Sequence, residues 1–187
     1  MAFVDSLAVM LLAVAMSAAF IAYYLVGIAK GKKMDSLAGP IFMLGIFDFL
    51  SGFYMSFFWP LPGAYNMLFG DPMLMLGIIM IAGGFAIYKN TDGRPISLIG
   101  FFLGIYLFAE SYGMVAYHLE AGAELLPALG FYLVSGLSGF LSPLVYLKSK
   151  NNNKKAYYLL AALLVLVVLA AMFIGTAAII GHLSSPP

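Results

Sequence analysis

Long apolar runs alternate with short polar segments along the chain. Each run holds about the 20 residues that a helix needs to cross a hydrocarbon core ~30 Å thick. The pattern predicts an all-α integral membrane protein, a six-transmembrane-helix bundle that forms a single transmembrane domain over residues 1–187. The expected spans are about Leu7–Ile28, Leu37–Trp59, Pro72–Tyr88, Pro95–Tyr117, Leu125–Leu147 and Ala156–Gly181.

Basic residues fall in every second loop between these spans. All 9 Lys and Arg residues follow the first, third or fifth span. Short loops rich in Lys and Arg are retained on the cytoplasmic side, so we predict a protein of the cell (plasma) membrane with both termini outside. Asp5 precedes the first span where a signal peptide would carry basic residues, which favours a retained helix.

Composition excludes several classes of function. The chain is 64% hydrophobic and 9% charged, which is atypical of a soluble domain. It has 0 Cys, which excludes disulfides, iron–sulfur clusters and cysteine-ligated zinc. Because no catalytic dyad, Gly-rich phosphate loop or nucleic-acid patch is visible, we predict that the protein is not an enzyme, needs no cofactor and binds no nucleic acid.

The two halves of the chain share a weak similarity. Six spans with an external amino terminus divide into two sets of three, and the second set would be inverted relative to the first. Segment 45–51, GIFDFLS, and segment 136–142, GLSGFLS, are identical at four positions. A 3+3 inverted repeat is therefore possible, with chance similarity between common membrane residues as the alternative.

Two carboxylic acids interrupt the predicted spans. Asp48 lies near the middle of the second span and Glu110 lies within the fourth, while none of the spans contains Lys or Arg. Ionisable groups inside a membrane are costly and usually face a bundle interior or a water-filled path. Since desolvation disfavours the charged form of a carboxyl group, we expect at least one of the two to be protonated at neutral pH.

Helical spacing surrounds each acid with polar groups, which leads us to predict a solute-binding or pore site. Tyr106, Glu110 and Tyr117 share one stripe of the fourth span. A proton-sensing pair, or protonated acids that only join helices through hydrogen bonds, are the alternatives. The predicted site consists of Asp48, Ser51, Tyr106, Glu110, Tyr117 and His118.

The outer loops also carry imidazole and carboxylate groups, which suit zinc or copper. They are His118, Glu120, Glu124 and His182. Their spacing matches no metal signature, and a solvated histidine beside an acidic loop edge is the simpler interpretation. We therefore predict no metal site and keep an outward-facing metal-dependent membrane protein as an alternative.

The turn Asp92-Gly93-Arg94-Pro95 joins a glycine-rich span to an aromatic one. In this region, about Leu74–Leu107, the chain resembles the AmiS/UreI family of urea and short-chain amide channels. That resemblance implies a homo-oligomeric ring in which each protomer has its own pore, although the fifth span lacks the family's pore tryptophans. The chain also resembles an uncharacterised six-span family of archaea and bacteria with a similar Asp in helix two and Glu in helix four.

Together these features predict a multi-pass channel or facilitator for a small neutral solute resembling urea, an amide or ammonia. Asp48 and Glu110 would form its polar constriction. The expected partners are the lipid bilayer, the solute and further copies of the chain. A non-transporting structural subunit of a larger membrane complex is the alternative, because the loops are too short to hold a soluble active site.

Overall fold

A computed structural model describes residues 6–147 and 154–184 of the chain, and in these ranges the protein is helical. Asp5, Lys148 and Lys150, on which part of the charge pattern rests, lie outside them. Short 3-10 turns occupy Asp35–Leu37 and Ser142–Tyr146. The α-helices are α1 (Ser6–Ala29), α2 (Ala38–Phe58), α3 (Tyr65–Lys89), α4 (Arg94–Ala116), α5 (Leu125–Phe140) and α6 (Lys154–Ser184).

These helices confirm the all-helical class and the number of long apolar segments. Six segments are long and apolar enough to cross a membrane, provided that the fifth is taken as α5 with the 3-10 turn that follows it. The bounds of α1, α2, α4 and α6 differ from the predicted spans by no more than a few residues, as is common at helix ends.

The start of the third helix differs from the predicted one. We expected the span to begin at Pro72, with Asp71 in the outer loop, but α3 begins at Tyr65 and contains both residues. The preceding loop is held by Asn66, whose Oδ1 accepts a hydrogen bond from the Leu61 N–H at 2.7 Å and whose Nδ2 donates to the Gly63 carbonyl at 3.0 Å. This extension of α3 by residues 65–71, about two turns, makes Asp71 a third acid within the apolar helices.

The fifth helix is shorter than predicted. The expected span ran from residue 125 to 147, but α5 ends at Phe140 and a 3-10 turn continues to Tyr146. Pro143 lies in the first turn of that segment and has no backbone N–H, so the α-helical ladder cannot continue through it. The Ser142 hydroxyl donates instead to the Ser97 carbonyl of α4 at 2.9 Å.

Neighbouring helices in the sequence pack against each other, and α6 closes the bundle by packing against α1. Glycines allow the closest approach in two antiparallel pairs. Gly45 of α2 lies against Met80 and Ile81 of α3, whereas Gly139 of α5 lies against the Gly100 backbone of α4. Small residues let helix backbones approach where lipid provides no hydrophobic driving force.

This pairing gives no support to the possible 3+3 inverted repeat. Such a repeat relates α2 to α5 and α3 to α6, so the glycine contact between α2 and α3 should recur between α5 and α6. Instead, the second glycine-rich contact joins α4 and α5. The repeat therefore stays a prediction that rests on the short sequence similarity alone.

Antiparallel packing brings the described basic residues to one end of the bundle, which we call the basic end. It carries the loops after α1 and α3 and the start of α6. The loops after α2 and α4 lie at the opposite end. The basic residues concerned are Lys30, Lys32, Lys33, Lys89, Arg94, Lys154 and Lys155.

The contact between α2 and α3 can be tested with two adjacent glycines. A Cβ on Gly84 would lie 2.8 Å from the Ala38 carbonyl oxygen and 2.8 Å from the Phe42 amide nitrogen, whereas a Cβ on Gly83 would meet nothing within 4 Å. We expect Gly84→Ala to destabilise the protein by about 1–3 kcal/mol through overpacking. Thermal unfolding in detergent measures the effect.

Gly83→Ala is the matched control, because it gives the same helix the same methyl group without the clash. It should be neutral or stabilise the helix by roughly 0.5–1 kcal/mol. Equal unfolding temperatures for the two variants would contradict the close backbone contact at Gly84.

Candidate functional site: a central cavity and an acid–hydroxyl network

A cavity of about 750 Å³ runs along the inside of the bundle. Leu7, Leu68 and Phe69 line it near the opposite end, and Lys32 and Tyr146 line it at the basic end. The lining residues of α1 reach from Leu7 to Ile28, a rise of about 32 Å along the helix. The cavity therefore extends over most of the length of the bundle.

The wall of the cavity is apolar along most of this length. Side chains of α1, α3, α4, α5 and α6 supply it, whereas α2 contributes Ile41 alone among the described residues. Ser135 of α5 interrupts the apolar wall, and its buried hydroxyl oxygen has no hydrogen-bond partner among the described residues. Toward the basic end the wall becomes polar, with Tyr24, Asn90, Thr91 and Tyr146.

An acid–hydroxyl network joins three helices outside this cavity. Asp71 of α3 accepts hydrogen bonds from the Ser56 hydroxyl of α2 at 2.6 Å and from the Tyr106 hydroxyl of α4 at 2.8 Å. Neither donor was predicted to contact Asp71, because the expected third span began at Pro72 and left Asp71 in the preceding loop. Each oxygen of this carboxyl group is therefore used to bind a neighbouring helix.

Glu110 lies beside this network, one turn after Tyr106 on α4. It interacts electrostatically with Asp71 and Tyr106. Its two carboxyl oxygens are buried and have no hydrogen-bond partner within the described ranges. The structure thus brings together Tyr106 and Glu110 of the predicted site and adds Asp71 and Ser56 to them.

Asp48 belongs to a separate contact. Its carboxyl group is fully buried between helices, and Oδ2 accepts a hydrogen bond from the equally buried Ser17 hydroxyl of α1 at 2.6 Å. Its Oδ1 has no partner in the described part of the chain. Ser17 was not anticipated, because a single serine in an apolar run gives no sign of which helix it will face.

The residues of the predicted constriction lie outside the central cavity. The lining of the central cavity in the described residues contains neither Asp48 nor Glu110, and Ser51 and Tyr106 are also absent from it. The role of the two acids in a solute path stays a prediction, and the cavity offers a different route.

A third polar contact compensates for Pro72 inside α3. Pro72 has no N–H, so the carbonyl of Leu68, four residues earlier, lacks its helical donor. The hydroxyl of Tyr132, buried on α5, donates a hydrogen bond to that carbonyl. The sequence contains a signal for this need, because a proline inside a helix leaves the carbonyl four residues before it without its donor. It does not show which side chain supplies the replacement.

The remaining predicted residues lie at the opposite end of the bundle. Tyr117 is 77% exposed, and His118 follows it in the left-handed region with φ of 51°. Partial burial, with a smaller contribution from the charge of Glu124, raises the pKa of Glu120. Among residues 6–147 and 154–184, no group of three or more His, Cys, Asp or Glu side chains could hold a metal ion, so the metal alternative gains no support.

Fold and polar contacts define an all-helical protein with six helices suited to a membrane and a cavity between them. Over residues 1–185 the chain matches the family described as "Protein of unknown function (DUF981)", and it belongs to that family. This agrees with the resemblance to an uncharacterised six-span family. Neither the curated proteins nor the solved structures contain a match, so the resemblance to AmiS/UreI channels gains no support.

The compensation at Pro72 makes a quantitative prediction. We expect Tyr132→Phe to destabilise the protein by about 1–3 kcal/mol, because the buried Leu68 carbonyl loses the side-chain donor that replaces its helical one. Pro72→Ala restores the backbone N–H, so the same Tyr132→Phe change should cost much less in that background. A double-mutant cycle from unfolding in detergent measures the coupling, and strictly additive effects would contradict this role of Tyr132.

The network at Asp71 makes a second prediction. Tyr106→Phe removes one of the two hydroxyl donors and should destabilise the protein by about 1–3 kcal/mol. Tyr112→Phe is the matched control, because Tyr112 lies on the same helix and is 75% exposed. Thermal unfolding should separate the two variants, and an unchanged Tyr106→Phe protein would show that the hydrogen bond contributes nothing to the packing of α3 on α4.

Proposed function

We propose that the protein is a multi-pass membrane protein that acts as a channel or facilitator for a small neutral solute. The cavity between the helices is the observation that carries this proposal, because it follows the direction in which each helix would cross the bilayer. Its mostly apolar wall with sparse hydroxyl groups suits a solute that is neutral and small. Along the apolar part of this wall, charged ions would lose hydration without gaining ligands.

The proposed orientation has both termini outside in the plasma membrane. Its support is the collection of the described basic residues at one end of the bundle, since Lys and Arg in short loops are retained on the cytoplasmic side. Under this orientation the polar part of the cavity, near Tyr24 and Tyr146, faces the cytoplasm.

The proposed path also changes the role of the intramembrane acids. Asp48 and Asp71 each accept hydrogen bonds from other helices, so we infer that they hold the wall rather than form the constriction. Glu110 has two buried oxygens without a hydrogen-bond partner in the described residues, but it does not line the cavity and so stands outside the proposed path. Assembly into a homo-oligomer remains part of the proposal on the strength of the family resemblance alone.

Flux through liposomes tests the path. We expect purified protein to accelerate the entry of at least one of urea, formamide, glycerol and ammonia over empty liposomes. Ser135→Trp should reduce that flux roughly tenfold, because a bulky ring would fill the cavity at its midpoint. Leu133→Trp is the matched control, since Leu133 lies two residues away on α5 and faces outward at 40% exposure.

Three outcomes would contradict the proposal. Flux that survives Ser135→Trp but fails in Glu110→Gln would place the solute path at the acids instead of the cavity. Equal loss in the two tryptophan variants would show that filling the cavity is not what reduces the flux. No flux for any of the four solutes, with other chains co-purifying in fixed ratio from mild detergent, would favour a non-transporting subunit.

A further inference from the structure

A second cavity lies on the outer surface of the bundle, in a groove between α1 and α6. Its volume is about 450 Å³. Small side chains form its floor, and Tyr23 and Tyr158 are exposed at its edges. The residues that line it are Ala19, Ala22, Tyr23, Val26, Tyr158, Ala161, Ala162, Val165 and Val168.

The groove is confined to the half of the bundle nearest the basic end. Its lining on α6 extends from Tyr158 to Val168, a rise of about 15 Å. That is half of a hydrocarbon core ~30 Å thick, which is the depth of one lipid leaflet. A transmembrane helix from a partner would need a groove through both leaflets.

Three lysines lie where the groove reaches the basic end, one next to its α1 side and two next to its α6 side. Lys30 follows Val26 by one turn and still donates its backbone N–H to the Val26 carbonyl at 3.1 Å. Lys154 and Lys155 precede Tyr158 by one turn of α6. Helical spacing therefore puts positive charge from both helices at the point where the groove meets the membrane surface.

These lysines are not neutralised by a described acid. Within residues 6–147 and 154–184 the only ion pair joins Arg94 to Asp92 at 3.5 Å. Asp35, the other acid near this end, lines the central cavity on the inner side of the bundle. The groove thus combines an apolar floor, two tyrosines and uncompensated positive charge.

From this arrangement we infer that the α1–α6 groove binds an anionic phospholipid of the leaflet at the basic end. One acyl chain lies along the alanine floor, and the phosphate contacts Lys30, Lys154 and Lys155. Basic pockets between helices on the cytoplasmic side recognise anionic head groups in this way. A second copy of the chain fits the groove poorly, because a symmetric contact would bring three lysines of each copy to the same end.

This inference rests on the proposed membrane insertion and is independent of transport. It can be tested in detergent, where no flux is measured. Purified protein is titrated with phosphatidylglycerol or with phosphatidylcholine of the same acyl chains, and bound lipid is counted by native mass spectrometry. We expect tighter binding of phosphatidylglycerol, weakened about fivefold for each lysine removed and therefore about a hundredfold in Lys30→Gln/Lys154→Gln/Lys155→Gln.

Two matched controls distinguish binding in the groove from the effect of total positive charge and from the effect of adding a bulky side chain to α6. Lys32→Gln/Lys33→Gln/Lys89→Gln removes the same charge from the same end and should bind phosphatidylglycerol like the wild type. Ala162→Trp fills the groove and should also abolish tight binding, whereas Leu159→Trp, on the exposed surface of α6 outside the groove, should not. Size-exclusion chromatography and helicity confirm that each variant is folded.

Several results would overturn the inference. Equal binding of the two lipids would show that the lysines do not recognise the anionic head group. Equal loss of binding in the two triple variants would show that only the total positive charge at this end matters. Lipid binding that persists in Ala162→Trp would place the lipid elsewhere. A wild-type dimer that Ala162→Trp dissociates would show that a second copy occupies the groove.

Discussion

The structure depends on a single constraint: every backbone polar group within an apolar environment must find its partner inside the protein. Pro72 violates this constraint locally, because it removes the donor that the Leu68 carbonyl needs. The hydroxyl of Tyr132 supplies the replacement from α5. One side chain therefore fixes the position of α3 relative to a helix that is not its neighbour in the sequence, and both Leu68 and Tyr132 line the central cavity.

The same physical reason accounts for the acids. In a medium without water, a carboxyl group gains most by accepting hydrogen bonds from other helices, and Asp71 and Asp48 do so through Ser56, Tyr106 and Ser17. Such contacts stabilise membrane bundles by about 0.6–2 kcal/mol each. Glu110 differs, since neither of its buried oxygens has a hydrogen-bond partner of ordinary geometry within the described ranges, although the carboxyl group interacts with nearby Asp71 and Tyr106. An intramembrane acid whose oxygens lack hydrogen-bond partners is therefore a stronger functional candidate than one whose oxygens already accept hydrogen bonds.

Much of the fold could be predicted from the sequence, because apolar length and the placement of lysines depend only on local composition. The six helices could be predicted from the length of the apolar segments. The start of α3 could not be predicted, since Asp71 and Pro72 resemble a loop boundary. The donors Ser56 and Tyr106 make Asp71 compatible with a helix interior, and the Tyr132 hydroxyl compensates for Pro72. Serine and tyrosine positions carry no signal of which distant helix they face, so the contacts of Ser17 with Asp48 and of Ser56 and Tyr106 with Asp71 could not be predicted.

The two spaces in the bundle also differ in a way that composition alone does not reveal. The central cavity is long and changes from apolar to polar only near the basic end, whereas the α1–α6 groove has the depth of one leaflet and ends at three lysines. A path for a solute must connect both surfaces, but a lipid site must match a single leaflet and its head-group level. Length along the helix axis is therefore our reason for proposing transport through the inner space and lipid binding in the outer one, and α1 and α6 contribute to the lining of both.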